Sequence, residues 1–178
     1  MWTRVFFLPS LGINALMTRL TSRRWYDRLD DTVILGALPL KSVTRELIEK
    51  ENVKAMVSVN EDFELRCMTF PSEVLVSMGV ERLQLRTTDY IGTPSPEHIA
   101  QAVEFILAHQ KLGHSVYVHC KAGRTRSATV AACYLMQNNQ WKPDEAVQFI
   151  KAKRPQIWLR KKQLDSIVSF YENHLKTS

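Results

Sequence analysis

Apolar residues along this chain fall into two kinds of run, which predict two kinds of secondary structure. Short β-branched or continuous apolar runs predict buried strands, whereas longer runs of helical composition or spacing predict helices. The predicted strands are 32–38, 53–60, 81–87 and 115–119. The predicted helices are 44–51, 95–110, 128–137, 142–153 and 160–175. This alternation implies a single α/β domain, with a central, mostly parallel twisted sheet flanked by helices.

Three of these helices indicate where the core lies. The helix at 95–110 is expected to begin with Ser95 as its N-cap and Pro96 at its first position. The run at 128–137 is apolar on nearly every side, so we expect a central buried helix there. The last helix should bury one face, which consists of Leu164, Ile167, Val168 and Tyr171.

The charge of the chain narrows its possible partners. The 178 residues have a formal net charge of +6, and the pI is near 9.3. A positive charge favours nucleic acid, phosphorylated molecules or an acidic membrane surface, but a solvated basic surface without a partner is an equal alternative. Because no basic stripe interleaved with aromatic residues is present, nucleic acid is not an expected partner. We expect a monomer.

The first 26 residues differ in composition from the rest of the chain. They contain four arginines and no acidic residue, and Pro9 and Gly12 interrupt the apolar run. A membrane-spanning helix is therefore not expected. This composition is typical of a mitochondrial presequence or of a helix that lies on a membrane, and a plain first helix of the fold is the alternative. We predict a targeting or membrane-associating segment at 1–26, followed by one folded domain at 27–178.

The cysteines and histidines do not suggest a metal site. Cys67, Cys120 and Cys133 are too few, and lack the spacing, for a disulfide framework or a thiolate zinc site. Cys133 lies in an apolar run and should be buried. The five histidines are scattered along the chain, so we expect no metal and no cofactor.

Only Cys120 has distinctive chemistry around it. The sequence VHCKAGRTRS at 118–127 joins a predicted strand to a predicted helix through a loop without acidic residues. Backbone N–H groups at a helix N-terminus, the helix dipole and arginines all stabilise an anion. Gly123 permits backbone conformations that other residues avoid. The pattern H-C-x5-R-S therefore predicts a phosphate-binding loop that consists of Lys121, Ala122, Gly123, Arg124, Thr125 and Arg126.

The same positive field should make Cys120 a nucleophile. A thiol beside cations at a helix N-terminus has a lowered pKa, so we expect a thiolate at neutral pH. The planar guanidinium of Arg126 can bind two oxygens of a phosphate. Ser127 can donate a hydrogen bond to the thiolate when it leaves, and His119 can fix the loop through hydrogen bonds to backbone carbonyls.

Attack on a phosphate ester also needs an acid that protonates the leaving oxygen. Asp89 is the candidate, because it follows a predicted strand in RTTDYIGTPSPE, a loop that could close over a bound phosphate. The alternative is an ordinary aspartate of a turn.

VHCKAGRTRS and Asp89 together resemble the cysteine-dependent phosphatases, in particular their compact dual-specificity branch, over residues 27–172. WYDRLDDTVILGALPLK and TTDYIGTP are most similar to the mitochondrial phosphatidylglycerophosphate phosphatases of that branch. The resemblance implies a phosphocysteine on Cys120, held by Arg126 and the loop amides, with Asp89 as the acid. It also implies that Glu61 and Asp62, more than Glu64, support the phosphate loop, whereas charge alone favours a solvated turn.

Two loop cations bear on the substrate. Lys121 and Arg124 either bind a second phosphate or only lower the pKa of Cys120. The resemblance implies dephosphorylation of phosphatidylglycerophosphate to phosphatidylglycerol in cardiolipin biosynthesis, at the matrix face of the mitochondrial inner membrane. The expected partners are then a phosphorylated lipid and an anionic membrane. The alternatives are a phosphatase for phosphotyrosine and phosphoserine or phosphothreonine, a phosphoinositide phosphatase, and a phosphate-binding module without catalysis.

Overall fold

A computed structural model of the chain describes residues 9, 12–13, 16, 23–66, 68–88 and 92–176. Its strands are β1 (Tyr26–Arg28), β2 (Val33–Gly36), β3 (Val53–Ser58), β4 (Glu81–Gln84) and β5 (Ser115–His119). Its longer helices are α1 (Lys41–Glu51), α4 (Pro96–Lys111), α5 (Arg126–Asn139), α6 (Pro143–Lys153) and α7 (Lys161–His174). Two short helices, α2 (Asp62–Arg66) and α3 (Ser72–Ser77), lie between β3 and β4.

The five strands form one sheet in the order β1-β2-β5-β3-β4. Strand β1 is antiparallel to β2, and every other pair is parallel. The predicted α/β fold with a mostly parallel sheet is therefore confirmed. Because β5 is the middle strand, its C-terminal end lies between the ends of β2 and β3, where His119 is opposite Gly36 on one side and Ser58 on the other.

Helices cover both faces of the sheet. Helix α5 is buried almost all round, as its apolar sequence predicts, and α4, α6 and α7 pack against it. Helix α4 begins after Ser95, whose side chain accepts a hydrogen bond from the His98 amide. A second core cluster contains Leu47 of α1 together with Ile34, Met56 and Tyr117 of the sheet. The phosphate loop predicted at 121–126 thus lies between a fully buried strand and a helix that is buried almost all round.

The buried face of α7 differs from the prediction. The structure buries Gln163, Ile167 and Phe170, whereas Leu164 and Val168 are exposed. The apolar spacing at 164, 167, 168 and 171 was ambiguous, because Phe170 gives a second possible apolar face only slightly rotated from the first. The core uses the face that also contains the amide of Gln163, which donates to the Thr93 hydroxyl.

The sequence prediction omitted β1, which begins at Tyr26, one residue before the predicted domain boundary. A strand of three residues is too short for a periodic pattern, and pairing with β2 fixes it instead. Trp25 also contacts the domain, since its indole N–H donates to the Leu38 carbonyl at 2.9 Å. Most of the predicted targeting segment lies outside the described residues. Within the part that is described, no helix has both the length and the apolar character needed to cross a bilayer.

Candidate active site

The phosphate loop begins at Cys120, directly after β5, and ends where α5 begins at Arg126. Cys120 is buried, with 3% of its surface exposed, and it lies at the carboxyl edge of the parallel strands. This edge, at the N-terminus of a following helix, is where α/β sheets bind ligands and where helix N–H groups stabilise anions.

Four successive carbonyl groups of the loop are bound from outside it. The Lys121 carbonyl accepts from the Leu38 amide, and that of Arg124 accepts from the Trp158 amide at 2.8 Å. The carbonyls of Ala122 and Gly123 both accept from the guanidinium of Arg154. In a trans peptide the C=O and the next N–H point in opposite directions. The amides of residues 122–125 are therefore directed toward the inside of the loop, where an oxyanion can bind.

Gly123 is required by this geometry. Its φ is +63°, and a Cβ atom would lie 2.4 Å from the carbonyl carbon and oxygen of Gly36. Gly36 in turn lies against the ring of Tyr117, whose hydroxyl donates to the Ala37 carbonyl at 2.6 Å. The loop therefore packs directly on the backbone that follows β2, and a side chain at 123 would displace it.

The surroundings of Cys120 favour the thiolate. Burial by itself raises the pKa of this thiol, but the charge of Arg126 lowers it, as do hydrogen bonds from the Ser127 hydroxyl and from the amides of Ser127 and Arg124. The net effect is a pKa below the usual value for cysteine. The Ser127 hydroxyl lies 3.2 Å from the sulfur. These contacts place Ser127 where the sequence predicted a donor to the thiolate.

Arg126 is held by a buried carboxylate. Its two terminal nitrogens donate to the two oxygens of Glu64, at 2.8 and 3.0 Å, and one of them also donates to the Thr87 carbonyl. Glu64 is fully buried, and only 2% of Arg126 is exposed. A bidentate pair of this kind fixes the plane of the guanidinium, which orients it for binding to phosphate oxygens.

The supporting role that the resemblance implies for Glu61 and Asp62 belongs to Glu64. Asp62 points to the surface, where it accepts from Arg86 and Gln84. The backbone amide of Glu61 donates to the Glu64 carboxylate, but the buried Oε2 of Glu61 has no hydrogen-bond partner within the described residues. Helix α2 is the reason, because its turn buries Glu64 against Arg126 and leaves Asp62 at the surface. Sequence composition alone could not distinguish them.

His119 fixes the end of β5 through a contact that the sequence did not predict. Its Nε2 lies 2.6 Å from the hydroxyl of Ser58, which is opposite it on β3. Burial lowers the pKa of His119 to about 3, so the ring is neutral at physiological pH. A side-chain hydrogen bond between neighbouring strands therefore holds the residue before the nucleophile.

Arg154 is a part of the site that the sequence did not predict. It is almost fully buried between α6 and α7, and in addition to the two loop carbonyls it binds Asp27 at 2.6 Å. Asp27 lies 127 positions away in β1, and it also pairs with Arg24. Local patterns carry no signal for contacts over such a distance. In the sequence, Arg154 is distinguished only by its position between a predicted helix and a proline.

A cavity of about 120 Å³ opens above the loop. Besides loop residues it is lined by Gly92, Trp158 and Arg160, and no acidic residue is among its described lining. Lys121 is among the lining residues, although only 5% of this residue is exposed. Arg124 is tied to the α6–α7 connection through the Gln156 carbonyl. The cavity is therefore suited to an anionic group.

Asp89 lies outside the described residues. Residues on both sides of it are described: the Thr87 carbonyl accepts from Arg126, and Gly92 lines the cavity. No group of three or more histidine, cysteine or acidic side chains that could hold a metal occurs within the described ranges.

Comparison with known proteins agrees with this geometry. Residues 34–173 match the family model "Dual specificity phosphatase, catalytic domain". Phosphatidylglycerophosphatase and protein-tyrosine phosphatase 1 of Homo sapiens is 44% identical, with 95% of this chain and 86% of the relative covered. Phosphatidylglycerophosphate phosphatase PTPMT1 of Arabidopsis thaliana is 38% identical, and the match covers 97% of this chain and 50% of the relative.

A solved structure, that of PTPMT1 in complex with PI(5)P, superposes with a TM-score of 0.82 at 44% identity. The superposition covers 84% of this chain and 96% of the other. A buried thiol in a loop of inward amides, beside an arginine fixed by a carboxylate, is the apparatus of a cysteine-based phosphatase. The chain belongs to the dual-specificity phosphatase family.

Proposed function

We propose that this chain removes the terminal phosphate of phosphatidylglycerophosphate and releases phosphatidylglycerol. The observation that carries the proposal is the set of cations at the cavity: Arg126 and the loop amides suffice for one phosphoryl group, yet Lys121, Arg124 and Arg160 also line it. This lipid has a phosphodiester close to its phosphomonoester. Relatives from Homo sapiens and Arabidopsis thaliana that bear the name of this activity support the proposal.

In the first step the Cys120 thiolate attacks phosphorus. The S–P bond forms while the ester P–O bond breaks, and the departing alcohol takes a proton from Asp89. Arg126 and the inward amides of 122–125 bind the three nonbridging oxygens, on which negative charge is concentrated. The product is a phosphocysteine and free phosphatidylglycerol.

In the second step water attacks the phosphocysteine. The water gives a proton to the Asp89 carboxylate, the P–O bond forms and the S–P bond breaks, so inorganic phosphate leaves and the thiolate is restored. The hydroxyl of Ser127, 3.2 Å from the sulfur, stabilises the departing thiolate by donating a hydrogen bond.

The test is phosphate release from phosphatidylglycerophosphate in detergent micelles. We expect turnover with the parent chain and none with Cys120→Ser. Cys133→Ala is the matched control, since it also removes a buried thiol but leaves the loop unchanged. The proposal fails if phosphatidylglycerophosphate is hydrolysed no faster than a phosphotyrosine peptide or para-nitrophenyl phosphate.

A phosphoinositide is a second candidate substrate. PI(5)P is bound in the structure of PTPMT1, which is 44% identical to this chain. This lipid, like phosphatidylglycerophosphate, carries both a phosphomonoester and a phosphodiester. The same micelle assay with PI(5)P in place of phosphatidylglycerophosphate compares the two, and a higher kcat/KM for PI(5)P would make it the preferred substrate.

We also propose that the protein acts at the matrix face of the mitochondrial inner membrane, in cardiolipin biosynthesis. The arginine-rich, acid-free composition of residues 1–26 supports this location. Fusion of residues 1–26 to a fluorescent protein tests it, with the four arginines changed to glutamine as the control. Retention of the parent fusion in the cytosol would contradict the proposal.

A further inference from the structure

The connection between α6 and α7 presents one large aromatic side chain to solvent beside the cavity. Trp158 is 52% exposed, although its neighbours Ile157 and Leu159 pack against the main core. Its backbone is fixed to the phosphate loop, because its amide donates to Arg124 and its carbonyl accepts from the Thr125 hydroxyl at 2.9 Å. The indole is therefore held at the rim of the site without being needed to fill it.

Cations flank this indole on the rim. The guanidinium carbon of Arg160 lies 4.0 Å from the ring centroid, and that of Arg124 lies 5.8 Å away. Partial burial, with the charges of Arg23 and Arg154, lowers the pKa of Arg124. Like charges are thus gathered here, in a place where an anionic partner would stabilise all of them.

The exposed apolar surface continues along α7. Leu164 and Val168, which the sequence assigned to the core, are 40% and 42% exposed. They lie three and seven positions after Lys161, so the three side chains share one face of the helix. Trp158, Arg160, Lys161, Leu164 and Val168 together are called the rim surface below.

We propose that the rim surface docks on an anionic lipid bilayer, with Trp158 at the level of the headgroups and the cavity facing them. Tryptophan prefers that level because its ring is apolar and its N–H is polar. The arginine and lysines of 160–162 match the negative charge of the lipids. The inference rests on the proposed function, since a soluble phosphopeptide needs no such surface.

Docking in this orientation would let the phosphate of a membrane lipid reach the buried nucleophile. Cys120 is almost fully buried, and the loop that follows it lines a small cavity. A lipid phosphate can reach it while the acyl chains stay in the bilayer only if the mouth of the cavity touches the headgroups. Trp158 lines that mouth, so its insertion brings the mouth to the membrane.

The experiment measures binding of the full chain to vesicles of phosphatidylcholine with and without phosphatidylglycerol, in a Cys120→Ser background that prevents turnover. The rim variant is Lys161→Ala with Lys162→Ala, and Trp158→Ala is tested separately. The matched control is Lys50→Ala with Lys111→Ala, which removes the same charge from exposed positions elsewhere.

We expect the double rim variant to bind anionic vesicles about tenfold more weakly, since each lysine near such a surface contributes several fold. Trp158→Ala should lower binding about tenfold as well, through lost apolar contact. The control pair should lose less than either. Equal losses of binding in the rim and control pairs would show that binding depends only on the net charge of the protein, and would overturn the proposal.

A second measurement separates docking from packing within the protein. If Leu164→Ser with Val168→Ser lowers the Tm and leaves vesicle binding unchanged, this face packs against protein, and the proposal is wrong. In active protein, Lys161→Ala with Lys162→Ala should slow hydrolysis of phosphatidylglycerophosphate in anionic vesicles and leave para-nitrophenyl phosphate turnover unchanged. Failure of the proposed function is distinct, because it appears as absent turnover of that lipid in detergent micelles by the parent chain.

Discussion

Two buried cysteines show how much the immediate surroundings decide about a side chain. Burial alone acts on Cys133, in the middle of α5, and raises the pKa of its thiol far above the usual value. Cys120 is equally enclosed, yet Arg126, Ser127 and the loop amides lower the pKa of its thiol. Equal burial therefore gives one inert apolar residue and one nucleophile.

The first prediction concerns pH. Only the thiolate reacts, so activity and alkylation of Cys120 should rise as pH increases through a pKa below that of an ordinary thiol. Ser127→Ala removes a donor to the thiolate, which raises the pKa and moves this rise to higher pH. Iodoacetamide alkylation as a function of pH measures it, and Cys133 should remain unmodified while the protein is folded. An unmoved profile in Ser127→Ala would contradict the assigned contact.

The second prediction distinguishes two carboxylates of helix α2. Glu64→Gln keeps the shape of the side chain but removes the charge that holds Arg126, so we expect kcat/KM to fall roughly tenfold to a hundredfold. Asp62→Asn, two positions earlier and on the surface, should change it by about twofold at most. Steady-state kinetics with para-nitrophenyl phosphate measure both. A larger loss of kcat/KM in Asp62→Asn than in Glu64→Gln would contradict this prediction and would support the role that the resemblance implied for Asp62.

At the scale of single residues, the sequence predicts what is local. Cys120, Gly123, Arg126 and Ser127 lie within eight positions, and their spacing suffices to assign the loop. Glu64 lies 62 positions before its arginine, in a segment with three carboxylates, and only the folded turn of α2 selects one of them. Residues chosen by long-range geometry are the ones that sequence patterns miss.

At the scale of elements, the phosphate loop is a backbone ring supported from three directions. The segment after β2 packs beneath Gly123, the side chain of Arg154 binds two carbonyls, and the α6–α7 connection binds Arg124 and Thr125. The chain thus uses hydrogen bonds to outward carbonyls in order to direct amides inward.

The third prediction tests the packing beneath the loop. Gly123→Ala places a methyl group against the Gly36 backbone at a positive φ, so we expect a loss of stability above about 2 kcal/mol and a large loss of activity. Gly113→Ala is the control, since its φ is +70° but open space surrounds the added carbon. That variant should lose about 1 kcal/mol and keep its activity. Thermal unfolding and kinetics report both quantities.

The fourth prediction assigns Arg154 to positioning of the loop. Arg154→Lys retains the charge but cannot span two carbonyls and Asp27, so the inhibition constant of inorganic phosphate should rise about tenfold or more. Arg28→Lys is the control, because Arg28 also makes several hydrogen bonds, to Glu51 and Ser115, away from the site. It should lower the Tm without changing phosphate inhibition. If Arg154→Lys and Arg28→Lys changed the inhibition constant of phosphate equally, Arg154 would have no specific role in positioning the loop.

The elements themselves were predicted with uneven success, and the reason is physical. Strand β5 and the helices after it have strong periodic or continuous apolar patterns, so their positions follow from the sequence. Strand β1 and helices α2 and α3 are too short for a period to be visible. Helix α7 was predicted with the wrong buried face, because two overlapping apolar faces compete and packing against α5 selects between them.

At the scale of the whole molecule, the beginning of the domain is part of the active site. Asp27 of β1 neutralises the arginine that supports the phosphate loop, and the Trp25 backbone pairs with Ala37 beneath the same loop. Order at the centre of the site therefore depends on residues more than ninety positions earlier in the chain.

The fifth prediction follows from this dependence. A chain without residues 1–22 keeps β1 and should hydrolyse para-nitrophenyl phosphate within about twofold of the parent. A chain without residues 1–28 loses β1 and leaves Arg154 buried without its carboxylate, which costs several kcal/mol. We expect it to be largely inactive, with a strongly reduced Tm in calorimetry. Equal activity of the two truncated chains would show that β1 is dispensable.

Hydrogen bonds join the phosphate loop to the α6–α7 connection. Beyond Arg154, two residues of the connection bind the phosphate loop through main-chain atoms: the Gln156 carbonyl and the amide and carbonyl of Trp158. The side chains at 156 and 158 can therefore change during evolution, or in an engineer's library, while these bonds to the loop are kept. Residues 156 and 158 can thus vary to change substrate specificity, so that the same catalytic centre could act on esters with other leaving groups.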